Sequence, residues 1–257
     1  EKSVRRMTAY RAATLAGLFT NFFFGALRAF IFVALYRDAG VEEVAGYTLA
    51  DAVTFTALTQ AAIAPLMLFG WAVVMRQIQS GDIASDLAKP IDLYRFWLAQ
   101  DLGRATFSFA ARGLPIVLAY QVFFDLVWPS SVGLWLAFGL SAGLAVLISF
   151  SWRFLVNVTA FWTTDAYGMG RVAYMSVLLL SGMLIPVAYF PETLQAIVWL
   201  TPFPSMVNAP VEVWLGMHGS TELVRMLGVQ ALWAVALAAL ARAVCARGVS
   251  KLAVQGG

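Results

Sequence analysis

Charge is what this chain has least of. Of its 257 residues only 12% are Asp, Glu, Lys or Arg, while 61% are hydrophobic. Soluble domains carry about 25% charged and roughly 45–50% apolar residues. Half the usual charge cannot solvate a globular surface, and a mean hydropathy of +0.79 points to lipid as the solvent. Cysteine and histidine are scarcer still. The single Cys245 can close no intramolecular disulfide, and with the single His218 it cannot build a His/Cys metal site. His218 is expected in a loop at the outer surface, without a metal. Lysine is limited to Lys2, Lys89 and Lys251, none of which follows a glycine. The phosphate-binding Gly-Lys-Ser/Thr turn is therefore missing, which excludes nucleotide hydrolysis within this sequence. No basic stripe of the kind that reads nucleic acid is present. The apolar runs carry almost no carboxylates beyond Asp51 and Asp125, both near a run's edge. Ion-coupled transport and intramembrane acid–base catalysis usually draw on such groups.

What remains is apolar length. Six runs can be read, about Thr14–Tyr36, Asp51–Met75, Ala105–Trp128, Val132–Trp162, Val172–Tyr189 and Glu222–Cys245. A spanning helix needs about 20 apolar residues, so the expected fold is all-α, a single polytopic domain over residues 1–257 with six transmembrane helices. Lys and Arg mark the cytoplasmic side of short loops. With the N-terminus inside, that side holds Lys2, Arg5, Arg6, Arg11, Arg76, Lys89, Arg95, Arg104, Arg171, Arg242, Arg247 and Lys251, and the outside holds Arg37 and Arg225. Both termini are expected in the cytoplasm, with 1–13 forming an interfacial segment. The opening EKSVRRMTAYRAA is charged and the run after it exceeds a signal h-region, so no secretory leader is expected. A start at Glu1 rather than Met suggests that native residues precede it.

Two connections exceed simple turns. The one at 190–221 is too apolar for water and too proline-rich for a continuous span, so short helices broken at Pro191, Pro202, Pro204 and Pro210 are expected in the outer interface. In the cytoplasmic one, 76–104, Ile83 and Leu87 share one helical face, with Asp82 as N-cap or first-turn residue beside Asp86, and Pro90 ends this short helix. The following DLYRFWLAQDLGR is amphipathic, offering Leu93, Phe96, Trp97 and Leu102. Such a helix suits a cleft of a partner protein or the lipid surface, and the residues alone leave both open. Three arginines fall within runs. Arg153, near an inner end, can snorkel. Arg112 calls for a packed or headgroup partner. Arg28 lies deepest and needs a polar neighbour such as Asn21 or Gln60, or a substrate group. Asn21, Arg28, Gln60 and Arg112 are thus candidates for an intramembrane polar network or pathway.

The segments SGDIASDLAKPIDLYRFWLAQDLGR, FWTTDAYGMGRV and LLLSGMLIPVAYFPETLQAIVWLTPFPSMVNAPVEVWLG, in that order, resemble the membrane subunit of bacterial ABC (ATP-binding cassette) exporters of the type-2 permease family. The resemblance implies a permease of the bacterial cytoplasmic (inner) membrane that pairs with a second permease chain, as homo- or heterodimer. It further implies two cytoplasmic ATPase subunits, which bind the ATP and magnesium, while this chain holds no cofactor and is no enzyme by itself. The first cytoplasmic loop becomes the coupling helix, about Ser80–Leu87 and on to Tyr94, with Gly81, Asp82, Ile83, Ala84, Asp86, Leu87, Pro90 and Tyr94 as the coupling set. The segment with Pro186, Phe190, Pro191, Pro202, Phe203, Pro204 and Pro210 becomes re-entrant helices closing the outer end. Spans rich in Phe, Trp and Met and poor in charge favour an amphipathic or apolar cargo such as a drug or lipid. A membrane anchor or assembly protein for a cytoplasmic partner is the alternative.

Overall fold

A computed structural model describes the backbone of residues 2–66, 71–163 and 166–255, with side chains from 15 to 251 within those ranges. The expected interfacial segment 1–13 lies outside the described side chains, as do residues 67–70 of the second apolar run and Thr164 and Asp165 of the FWTTDAYGMGRV segment. Among the described residues the regular structure is helical apart from one hairpin of two-residue strands, and the chain divides into two compact units: residues 1–65 with 106–128, and 66–105 with 129–257.

The first unit begins with α1 (Lys2–Ala39). The hairpin β1 (Glu43–Val44) and β2 (Tyr47–Thr48) turns through Ala45 and Gly46, both at positive φ, the primed geometry that fits a strand's twist. Thr48 then starts α2 (Leu49–Ala62) with a capping box: its hydroxyl accepts from the Asp51 N–H, and the Asp51 carboxylate accepts from the Thr48 N–H. Asp51 is thus a helix cap.

The second apolar run is not one helix. After α2 the chain turns through residues 63–66 and resumes as α3 (Val73–Ser80) in the second unit. Pro65 disfavours helical geometry at Ala64 and offers no N–H of its own. Gly81, at φ +82°, ends α3 in the left-handed conformation and leads into α4 (Ile83–Leu87). The segment expected to lie as a separate amphipathic helix is instead continuous with the third run. α5 (Leu93–Ser108) passes through a π-helical turn at Phe109–Gly113 into α6 (Leu114–Phe123). Pro115 cannot donate into the preceding turn, and the wider π turn absorbs that missing bond.

In the second unit α7 (Val132–Val158) runs on into a 3-10 turn, and α11 (Ser220–Gln255) packs along it. Among the described residues three helices are long and apolar enough to cross a membrane: Leu15–Ala39 of α1, Val132–Phe161 of α7 with its turn, and Ser220–Lys251 of α11. α8 (Ala166–Leu180) is apolar but short. The run expected to continue to Tyr189 stops because Gly182 adopts φ +83°, followed by Pro186 and a 3-10 turn at Val187–Tyr189. α9 (Glu192–Trp199), a 3-10 turn at Pro204–Met206 and α10 (Asn208–Leu215) complete the connection to α11. The connection consists of short helices separated at prolines, and three of those prolines stand at or beside helix starts. Pro191 precedes α9, Pro204 opens the 3-10 turn and Pro210 sits in the first turn of α10, where no intrahelical N–H bond is owed.

Candidate functional site

The loop between α3 and α5 separates into two faces. Ile83 is 1% exposed and joins a core of Val74, Ile78, Leu93, Tyr94, Trp97, Phe150 and Phe154, with Leu87 packed against it. The apolar face of α4, expected to be available to a partner, is therefore spent on the chain's own core. Leu93 and Trp97 are buried with it, and of the expected interface residues Leu102 stays exposed. Tyr94 donates to or accepts from Ser151 Oγ at 2.7 Å and stacks edge-on against Phe150 and Phe154. Its burial raises the phenol's pKa, which the Ser151 hydrogen bond only partly offsets. Tyr94 is thus an anchor of the loop. Asp82 does stand at the N-cap of α4, but its side chain does not cap; it accepts from Ser80 Oγ at 2.7 Å. Asp86 is buried and accepts from Lys89 Nζ at 2.7 Å. The outward face consists of Gly81, Asp82, Ala84, Ser85, Lys89 and Pro90, small or polar residues.

At the start of α5, Asp92 accepts from the Arg95 N–H and from Arg242 Nη2 on α11. Burial pushes its pKa up, but the two hydrogen bonds and the Arg242 charge outweigh this and hold it below the usual carboxylate range.

Farther along, Asp101 is 7% exposed and receives two guanidinium groups. Arg104 donates through Nε and Nη2 at 3.0 and 2.9 Å. Arg153 donates through Nη1 and Nη2 at 3.3 and 2.8 Å. Arg153 therefore does not snorkel. It is buried in a bidentate ion pair, the arrangement a guanidinium needs when water cannot reach it. One turn on, Asn157 mends the interrupted second run: its Oδ1 accepts from the Met75 N–H at 2.7 Å, and its Nδ2 donates to the Trp71 carbonyl at 2.9 Å. Met75 lies in the first turn of α3, so Asn157 caps that helix from α7. Ser149 Oγ likewise donates to the Leu66 carbonyl at 3.0 Å. Irregular backbone at membrane depth requires such internal partners.

In the first unit Arg28 donates to the Thr56 carbonyl at 3.1 Å and to the Thr59 hydroxyl of α2, two oxygens beside the sequence candidates Asn21, Gln60 or a substrate group. Gln60 instead lies against α1 at Gly25, where a Cβ would sit 2.6 Å from its Cγ and 2.0 Å from Tyr120 Oη. Asn21 is half-buried on α1, and Arg112 is half-buried in the π turn.

The α8–α11 connection has its own polar chain. Asn208 is fully buried. Its N–H donates to the Ser181 carbonyl at 3.0 Å, its Oδ1 accepts from Val187 N–H at 3.0 Å, and its Nδ2 donates to Glu212 at 2.7 Å. Glu212 also meets His218 Nε2 at 2.9 Å, with Glu222 3.8 Å from the other ring nitrogen. The hydrogen bond to Glu212 raises the His218 pKa against the opposing effect of its burial. His218 lies in the α10–α11 turn as expected, but as part of this chain and not as a bystander. Pro202, Phe203, Pro204 and Pro210 are buried, while Pro191 is exposed. Sequence reading had no signal for Asn157, Asp101 or Asn208 beyond their being polar residues in or beside apolar stretches.

Long apolar helices, a span-length run mended by side chains and polar groups engaged internally define a multi-pass membrane protein. Residues 22–256 match the family profile described as ABC-2 family transporter protein, and the chain belongs to that family, a permease component of ABC transporters. No curated protein and no solved structure matches the chain. Members of such a family work with ATP-binding subunits and dimerise in general, and the permease component is normally non-catalytic.

Proposed function

We propose that the chain is the permease subunit of an ATP-driven exporter of a bacterial inner membrane, with six spanning segments and both termini in the cytoplasm. It forms the pathway with a second permease chain and takes its energy from two separate cytoplasmic ATPases. The supporting observation is family membership over residues 22–256, joined to a sequence without a nucleotide-binding loop of its own. The loop from α3 to α5 is the coupling element in this reading. Its outward face, Gly81, Asp82, Ala84, Ser85 and Pro90, meets the ATPase, while Ile83, Leu87 and Tyr94 fasten the loop to the permease so that it moves as a rigid lever. The cargo is amphipathic or hydrophobic, and the α8–α11 connection closes the outer end of the pathway.

Co-purification from the native host in mild detergent tests the assembly: a stoichiometric partner with vanadate-sensitive ATPase activity is expected. A folded preparation with no ATPase partner overturns the reading and leaves a membrane anchor. Ala84→Arg tests the docking face, with ATPase affinity falling about tenfold, the equivalent of about 1.4 kcal/mol, and unfolding temperature unchanged. Unaltered binding and transport in that variant sink the assignment of this face.

A further inference from the structure

Between α3, α5 and α7 of the second unit lies a cavity of about 320 Å³, within the size range of small-molecule sites. Trp71, Val73, Val74, Trp97, Phe150 and Phe154 line it, and the surface turned to it is almost wholly apolar. The charged and amide groups nearby are engaged within the fold. Asp101 accepts from both Arg104 and Arg153, and the Asn157 amide serves the Met75 N–H and the Trp71 carbonyl. Gln100 is the exposed member of the lining, with half-buried Arg104 one turn on, so the polar rim lies along α5. One wall is movable in principle but seated. The Trp71 ring lies against Gly170 of α8, where a Cβ would collide with the indole, and edge-on to Tyr167 at 6.1 Å. Water has little reason to fill such a space. An apolar cavity stays dry and takes up hydrocarbon, and volume left empty costs packing free energy in proportion to its size.

We infer that this cavity binds the hydrocarbon tail of a single-chain amphiphile, with the tail along Phe150, Phe154 and the valines of α3 and the head at the Gln100 rim. Three features select that class. Ring faces and aliphatic walls recognise hydrocarbon by shape and not by charge. The rim amide both donates and accepts, so it meets a hydroxyl as readily as an acid. The volume admits one chain and excludes a whole diacyl lipid. Val74, Trp97, Phe150 and Phe154 also belong to the core that holds Ile83, Leu93 and Tyr94, so the occupant packs under the loop between α3 and α5. The inference concerns binding by this chain alone and does not depend on ATP-driven transport.

The test uses the full chain in phosphatidylcholine nanodiscs, photolabelled with octanol, decanol, dodecanol or hexadecanol carrying a diazirine at the tail end. Labelled peptides are read by mass spectrometry and normalised to each alcohol's partition into empty discs. Saturable labelling is expected on the peptides that hold Trp71 to Val74 and Phe150 to Phe154, displaced by unlabelled dodecanol. It should rise about tenfold from octanol to the chain that fills the cavity, as void is replaced by packed atoms, and then level off. Trp71→Ala enlarges the cavity and should move that break to a longer chain. Val73→Phe occupies part of the cavity and should move it to a shorter one, with the unfolding temperature maintained. Labelling that neither saturates nor changes with chain length overturns the inference, as does a break that stays in place in both variants. Should Trp71→Ala fail to fold, Val73→Phe decides the matter. Absence of label from the cavity peptides means that bilayer chains or the protein itself fill the space, and also overturns it. Dodecyl phosphate should displace the label much as dodecanol does. A head-group effect larger than the difference between dodecanol and octanol overturns recognition by the tail.

Discussion

Two buried asparagines hold the two irregular stretches of the second unit, and they do so differently. Asn157, on α7, reaches across to the start of α3 and satisfies one backbone N–H and one backbone carbonyl of a segment distant in sequence. Asn208 opens its own short helix and ties down the stretch that follows α8, through Ser181 and Val187, while its remaining donor enters a chain of ionisable groups ending at His218 and Glu222. The first is a cap supplied in trans, insulated beside an ion-paired arginine. The second is a clamp with a titratable end. Where backbone leaves helical geometry in an apolar setting, one amide side chain with both donor and acceptor can replace the lost ladder bonds. What surrounds the amide then decides whether the joint is inert or responds to pH.

The largest effect that distinguishes the two is expected from Asn157→Leu. It orphans the Met75 N–H and the Trp71 carbonyl, at about 1–3 kcal/mol each, and should lower stability by about 2–5 kcal/mol in detergent unfolding. Asn157→Asp keeps the acceptor for Met75 and should lose less. A leucine variant unfolding within about 0.5 kcal/mol of the native chain would show that the interrupted run needs no trans cap. Asn208→Leu should cost about 1–3 kcal/mol, since Val187 loses its acceptor while Glu212 keeps His218. Next comes Gly182→Ala. Gly182 sits at φ +83°, and a Cβ there would lie 2.7 Å from Asn208 Oδ1; the left-handed backbone alone costs about 1–2 kcal/mol. The effect should shrink only in part in an Asn208→Ala background, where the Oδ1 contact is gone while the 2.8 Å contact with the residue-208 Cβ and the backbone cost remain.

The titratable end sharpens the contrast further. Because Glu212 raises the His218 pKa above its ordinary 6.5, the folded state binds the proton more tightly than the unfolded chain. That contribution is complete below about pH 6.5 and is lost as pH rises through the elevated value. Stability followed from pH 5 to 9 should fall across this window in the native chain and flatten in His218→Gln; an unchanged profile would remove His218 from the clamp. Smallest is the exposed Asp92–Arg242 pair at 2.9 Å. Arg242→Ala should cost about 0.2–1 kcal/mol, less at high salt, and the difference from native should vanish as acid protonates Asp92 through its lowered pKa. A salt-insensitive loss would mean that the arginine stem, and not its charge, fastens α5 to α11.

Much of the architecture can be read in residue order. Ile83 and Leu87 share a face because they stand four apart, and the prolines of 191–210 mark short elements because each lacks a donor. What those patterns leave open is direction. The face of Ile83 and Leu87 was suited to a partner's cleft or a lipid surface, and it turns out to lie in the chain's own core with Phe150 and Phe154. The prolines read as helix breakers, and Pro191, Pro204 and Pro210 separate the short elements by standing at or beside their starts. Arg153 near a helix end looked able to reach water, but its position says nothing of Asp101, 52 residues earlier.

The solvent of this protein, its helical content and its family follow from sequence alone, because hydropathy and helix propensity are local properties that add up over windows of a few turns. The tertiary structure decided how the second apolar run is interrupted and mended, and which oxygens meet Arg28 and Arg153. Those outcomes depend on side chains meeting across separations such as the 82 residues between Met75 and Asn157. A buried polar group takes whichever complementary atom the packing of helices brings within about 3 Å, and that distance is set by the fold.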